Sequence, residues 1–113
     1  MSDDAVIAVT TEGERTILAP EGDVDMSRSP ALRGAIREAF SGGARTLAID
    51  LGGVGYMDSS GLATLVEAMK LAKSSSAELV LCAMNDRVRA IFEIAKLDQY
   101  FTIVADRSAI GGS

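Results

Sequence analysis

Apolar residues along the chain fall in short runs divided by polar turns, and the period of each run predicts its element. Residues 5–10 and 15–19 are two apolar runs joined by Thr11-Glu12-Gly13-Glu14 and closed by Pro20, a pattern that predicts a β-hairpin. Glu21-Gly22-Asp23-Val24-Asp25 is a polar connection carrying three acids. Ser29-Pro30 predicts a helix start, with the serine as cap and the proline at the first helical position. Leu32, Ala35, Ile36, Ala39 and Phe40 follow at helical spacing, and Gly42-Gly43 ends that helix. Residues 46–51 are apolar nearly throughout, as in a strand covered on both faces. A second helix over about 59–73 carries the stripe Leu62, Leu65, Val66, Met69 and Ala72. Beyond Ser74-Ser75-Ser76 comes an apolar strand over 78–83, so strand, helix and strand form a βαβ unit with parallel strands and a right-handed crossover. Asn85 is placed to cap a third helix with Val88, Ile91, Phe92 and Ala95 on its inner face. Residues 100–104 read as a last short strand, and 105–113, ending Gly111-Gly112-Ser113, as a flexible tail. The sum is one α/β domain over 1–113, a mixed four- to five-stranded sheet with helices packed on it.

Composition narrows the function. At 113 residues with 48% hydrophobic and 24% charged side chains, the chain can bury a core as one domain. Aromatics are only 4%, so aliphatic side chains and alanine must fill that core. The net charge of −5 comes with no basic run, so the electrostatic footprint of nucleic-acid binding is missing, and an anionic membrane surface is an equally poor partner. The single cysteine, Cys82, lies in an apolar run and fits a reducing compartment. Met1 is followed by Ser-Asp-Asp rather than a signal peptide, and no apolar run reaches the length of a membrane span; the expected location is cytoplasmic.

Catalytic chemistry finds little to work with. There is no histidine, which removes Ser-His-Asp and Cys-His mechanisms and histidine metal sites, and one cysteine cannot build a thiolate zinc site. Asp23, Asp25 and Asp58 could in principle hold Mg²⁺ or Ca²⁺, but Asp23-Val24-Asp25 lacks the calcium-loop pattern. Gly53-Val54-Gly55-Tyr56-Met57-Asp58 starts like a dinucleotide fingerprint, yet Asp58 stands where the third glycine belongs and would repel a pyrophosphate. Met57-Asp58-Ser59-Ser60-Gly61 misses the nucleophile elbow because Met57 replaces its first glycine. The expectation is a binding module, neither an enzyme nor a holder of cofactor or metal.

What distinguishes the chain is Tyr56-Met57-Asp58-Ser59-Ser60-Gly61-Leu62, where a strand hands over to a helix. On composition alone Asp58-Ser59-Ser60 reads first as a helix cap. The same position also suits phosphate, since N–H groups at a helix start lack intrahelical partners and the dipole favours negative charge. Ser59 is the expected phosphoacceptor, at the exposed entry to the helix, with Ser60 turned more toward the fold. Gly61, costly inside a helix, either packs under a neighbouring segment or lets a partner approach the backbone. Asp23 and Asp25 have no periodic place in a core, so they are expected at a partner interface rather than in support of the fold.

At these residues the chain resembles the STAS family, and within it the bacterial anti-sigma factor antagonists. The resemblance spans nearly the whole chain: Gly22-Asp23-Val24-Asp25 before the first helix, Met57-Asp58-Ser59-Ser60-Gly61-Leu62 at the phosphorylation loop, and Leu81-Cys82-Ala83-Met84 with Val88-Arg89-Ala90-Ile91-Phe92 in the later strand and helix. The family implies partner switching. An unmodified antagonist binds an anti-sigma factor that is a serine kinase of the histidine-kinase-like ATPase type, sigma factor is released, phosphorylation ends the complex, and a phosphatase resets it. Carried onto this chain, the phosphoacceptor is Ser59, Asp58, Ser60 and Gly61 form its loop, and Asp23 and Asp25 line the same surface. ATP and Mg²⁺ would belong to the kinase. The alternative within the family is a scaffold or accessory subunit of a transporter or signalling assembly.

Overall fold

A computed structural model describes residues 7–110. Its elements run β1 (Ile7–Glu12), β2 (Arg15–Pro20), α1 (Ser29–Ser41), β3 (Thr46–Asp50), α2 (Ser59–Ser74), β4 (Glu78–Cys82), α3 (Asp86–Ile94) and β5 (Thr102–Val104). The five strands form one sheet in the order β1-β2-β3-β4-β5. The β1–β2 pair is an antiparallel hairpin closed at Glu12↔Arg15, and the other neighbours are parallel. The hairpin and the parallel strands 3 and 4 thus follow the polar pattern, with ends shifted by a residue or two; the expected start of β1 at 5 and 6 lies outside the described residues.

Alternation along the strands divides the core in two. Leu18, Leu47, Ile49, Leu79 and Leu81 pack with Leu32, Ile36 and Phe40 of α1, Leu65, Ala68 and Met69 of α2, and Val88 and Phe92 of α3. Ile17, Ala48, Val80 and Cys82 form a smaller second cluster with Ile110. That cluster corrects the expected tail over 105–110. Arg107–Ala109 is a short 3-10 turn, Arg107 Nε meets Asp50 Oδ2 at 2.6 Å, and Ile110 is buried. An exposed apolar sheet face is costly, and Ile110 supplies the area that covers it; residues 111–113 lie outside the described residues.

Two helix faces also shift from expectation. In α2 the fully buried positions are Gly61, Thr64, Leu65, Ala68, Met69 and Ala72, while Leu62 and Val66 are only half-buried. Ala95 is the exposed C-cap of α3 rather than part of its inner face. Helices α1 and α2 are clasped by Glu67, whose carboxylate accepts from Arg33 at 3.0 Å and Arg37 at 2.8 Å.

Candidate functional site

The site is made by two loops that pair outside the main sheet. Val24 N–H donates to Tyr56 O at 3.0 Å, and Asp58 N–H donates to Val24 O at 3.1 Å, a one-residue parallel bridge between Val24 and Met57. Both side chains point inward and are buried at 2% and 1% exposure. Side chains alternate along extended backbone, so the flanking residues face out. The register sets Asp23 beside Tyr56 and Asp25 beside Asp58. Gly22, at φ +91°, makes the turn into this segment and donates its N–H to Gly53 O at 2.9 Å.

Gly61 is what lets the bridge sit so close to α2. A Cβ there would stand 2.4 Å from Met57 Cγ, 3.0 Å from Val24 Cγ1 and 3.1 Å from Val24 O. Of the two roles open to Gly61 in the sequence, the structure gives it the packing role. It is buried and offers no surface of its own.

Asp58 is the N-cap of α2. Its Oδ1 accepts from Ser60 N at 2.8 Å, from Gly61 N at 3.3 Å and from Ser60 Oγ at 2.6 Å. The Ser60 hydroxyl first, and then the two backbone N–H groups, hold the Asp58 carboxyl below its ordinary value, against desolvation and the nearby charge of Asp25. Ser60 is half-buried with its hydroxyl engaged, whereas Ser59 is exposed. The amides of Ser60, Gly61 and Leu62 all have acceptors on Asp58. That changes the electrostatics expected from sequence: a phosphate on Ser59 does not find this helix start vacant. It meets Ser60, Gly61 and Leu62 amides already taken by Asp58, and a carboxylate next door.

Asp25 is equally engaged. Its Oδ1 accepts from Ser27 N at 3.0 Å, Ser27 Oγ at 2.7 Å and Arg28 N at 3.2 Å. The Ser27 hydroxyl leads in lowering its pKa. This turn, not Ser29, starts α1: Arg28 occupies the N-cap without a side-chain cap, Ser29 is buried inside the first turn, and Pro30 follows it. The expectation that Asp25 serves binding rather than the fold is therefore corrected, because its carboxylate holds the turn that leads into α1. Asp23 is exposed, with Oδ1 lying over Gly55.

Sequence reasoning thus placed Asp23, Asp25, Asp58, Ser59 and Ser60 on one surface, and the bridge does bring them together. It missed Met26, which is 75% exposed in the Asp25 turn, and Asn85, whose Nδ2 donates to Val54 O at 3.1 Å and ties the start of α3 to the same loop. A methionine stranded in a polar turn was a legible signal. The Asn85 contact spans 31 positions and left no local trace. A groove lies elsewhere, between the hairpin and α1, lined by Val9, Thr16, Leu18, Ala35 and Ala39, and shares no residue with this surface. It holds none of the predicted chemistry, so the loops carry more weight than the groove.

Comparison with known proteins fits this geometry. The STAS domain family model matches residues 6–109. The chain belongs to the STAS domain family. It is 35% identical over 82 residues to the anti-sigma-B factor antagonist of Listeria monocytogenes, covering 73% of this chain and 72% of that one. In structure the STAS domain is similar to an anti-sigma factor antagonist from Mycobacterium paratuberculosis, with TM-score 0.83 at 22% identity over 96% of this chain and 92% of that one. It is also similar to the Bacillus cell fate determinant SpoIIAA in its phosphorylated form, with TM-score 0.72 at 18% identity over 92% and 96%. In this chain the Val24–Met57 bridge fixes where the Asp58-Ser59 entry to α2 stands. Among the described residues no helix is long and apolar enough to cross a membrane.

Proposed function

We propose that this STAS domain is an anti-sigma factor antagonist switched by phosphorylation of Ser59. Unphosphorylated, it binds an anti-sigma factor that is also a serine kinase and so frees sigma factor; phosphate on Ser59 ends the complex, and a phosphatase restores it. The chain supplies the acceptor hydroxyl and the binding surface, and catalysis rests with the kinase and its ATP and Mg²⁺. The observation that carries the reading is the exposed Ser59 hydroxyl beside an N-cap aspartate, on a surface whose acids are registered by the Val24–Met57 bridge. It is supported by the relatives named as antagonists and by a structural neighbour seen phosphorylated.

The switch follows from local electrostatics. A phosphoserine brings a charge of about −1.5 to −2 at neutral pH. In the free domain it stands in water, and the fold need not rearrange to hold it. In a complex shaped around a neutral hydroxyl, the same charge must be desolvated, at a cost of about 3–5 kcal/mol for an unpaired buried ion. Affinity then falls by more than about 100-fold. The test is to incubate the chain with ATP and each histidine-kinase-like anti-sigma factor of its organism and to map the phosphopeptide. Phosphate on Ser59 supports the reading; phosphate on Ser60 removes the assignment, and no transfer by any such kinase favours a scaffold role.

A further inference from the structure

Two exposed apolar side chains bracket the acids of this surface. Met26 is 75% exposed and Tyr56 is 44% exposed. They come from the two segments joined at Val24↔Met57. Tyr56 flanks the bridge beside Asp23, while Met26 follows Asp25 just as Ser59 follows Asp58. The two segments that carry Asp23, Asp25 and Asp58 therefore each also carry one exposed apolar side chain, a ring on one and a thioether on the other.

Neither side chain enters a hydrogen bond or ring pair among the described residues. The turn at 25–28 is held by Asp25 and Ser27, so Met26 has no part in its hydrogen bonds. Tyr56 contributes its backbone carbonyl to the bridge and leaves its ring outside. Tyr100, another exposed ring, differs in being used internally, edge-on to Phe101 at 5.1 Å and under Lys73 Nζ at 5.6 Å. Among the described residues Asp23, Asp25 and Asp58 make no ion pair, and the only cationic influence on them is a minor one, the charge of Arg28 on Asp25. Arg28, the nearest in sequence, folds back to donate to Glu21 O at 3.0 Å.

We propose that Met26 and Tyr56 are the apolar anchors by which this domain seats its kinase, and that the matching surface on the kinase is basic with two apolar sockets. This deepens the antagonist reading and rests on it. Interfaces draw their affinity from a few well-packed side chains, aromatic ones prominently, while surrounding charges set orientation and association rate. Methionine adapts to irregular sockets. The acids of the bridge would then align the kinase, and the two anchors would hold Ser59 at its nucleotide.

The experiment measures affinity of the full chain for the kinase that phosphorylates it, for wild type and for Met26→Ala, Tyr56→Ala and Ile94→Ala. Ile94 is 81% exposed on α3 and serves as the control for losing an exposed apolar side chain. Met26→Ala and Tyr56→Ala should each weaken binding at least tenfold, equal to about 1.4 kcal/mol, mainly through faster dissociation. Their melting temperatures should stay at the wild-type value, and Ile94→Ala should bind as wild type does. Affinities within twofold of wild type for both Met26→Ala and Tyr56→Ala would overturn the proposal while leaving the antagonist reading in place. Equal weakening by Ile94→Ala would also overturn it. A wild-type chain that no anti-sigma kinase binds or phosphorylates would overturn both.

Discussion

A single methyl group placed at two glycines should move stability in opposite directions. Both Gly34 and Gly61 lie in helices, α1 and α2. At Gly34 an added Cβ meets nothing within 4 Å, so Gly34→Ala gains the helix preference of alanine, about 1 kcal/mol. At Gly61 the same Cβ stands 2.4 Å from Met57 Cγ and 3.1 Å from the Val24 carbonyl oxygen. Carbon contacts are comfortable only near 3.5–4.0 Å, so about 1 Å of movement is demanded of the buried Met57 side chain and a few tenths of an ångström of the Val24 backbone. Overpacking of this kind costs about 1–3 kcal/mol, and the backbone contact argues for the upper half of that range. After the propensity gain, Gly61→Ala loses about 1–2 kcal/mol. The two variants then differ by about 2–3 kcal/mol, which for a domain of this size separates their melting temperatures by about 8–12 °C. Calorimetric or circular-dichroism melts decide it. Gly61→Ala should in addition be phosphorylated more slowly, because relieving the clash displaces Val24 and with it the register of Asp23 and Asp25 against Asp58. A Gly61→Ala protein as stable as Gly34→Ala would refute the packing on which the site geometry depends.

Further outcomes follow from the same geometry. Asp58 titrates below its ordinary value of 3.8 in the fold, so its stabilising contribution is complete above that value and is lost as pH falls through the lower folded value. Ser60→Ala removes the largest cause of the shift, and acid titration of its stability below about pH 4 should show a shallower loss than wild type. Burial, and then the charge of Asp50, push the Cys82 thiol up to about 11, so a thiol reagent at pH 8 should label it only after denaturant is added; rapid labelling of the native protein would contradict its burial. Ile110→Ala should destabilise the domain by about 2–3 kcal/mol in urea melts, since it uncovers the Ile17, Ala48, Val80 and Cys82 face, whereas a frayed 105–110 segment would leave the midpoint unchanged.

Where side-chain period decides structure, the sequence was legible. Leu32, Ile36 and Phe40 stand at helical spacing and are buried, and the unbroken apolar run around Ile49 is a central strand. Asn85 caps α3 as its chemistry suggests, accepting from Val88 N at 2.8 Å. Errors fell where a competing contact, near or distant in sequence, overrides the simplest local signal. Ser29 looks like a cap, but Asp25 holds a turn through Ser27 and Arg28 that leaves Arg28 as the N-cap and Ser29 inside the helix. A Gly-rich terminus looks loose, but Ile110 has an apolar face to cover. In the site, residue types pointed to Asp58 as a cap and to Ser59 at the exposed helix entry, while the Val24–Met57 bridge joins segments more than thirty positions apart and has no local signature. That bridge alone explains why Gly61 must lack a side chain.

The central claim is that charge on Ser59, and not a change of fold, breaks the complex. The most direct measurement titrates the anti-sigma kinase against the unmodified chain and against the same chain carrying phosphate mapped to Ser59, with a thermal melt of each form. The account predicts at least a 100-fold loss of affinity on phosphorylation and a melting temperature lowered by no more than a few degrees, with Ser59→Ala still binding and resisting inactivation. Equal affinity of the two forms, or a phosphorylated form that has unfolded, would contradict it.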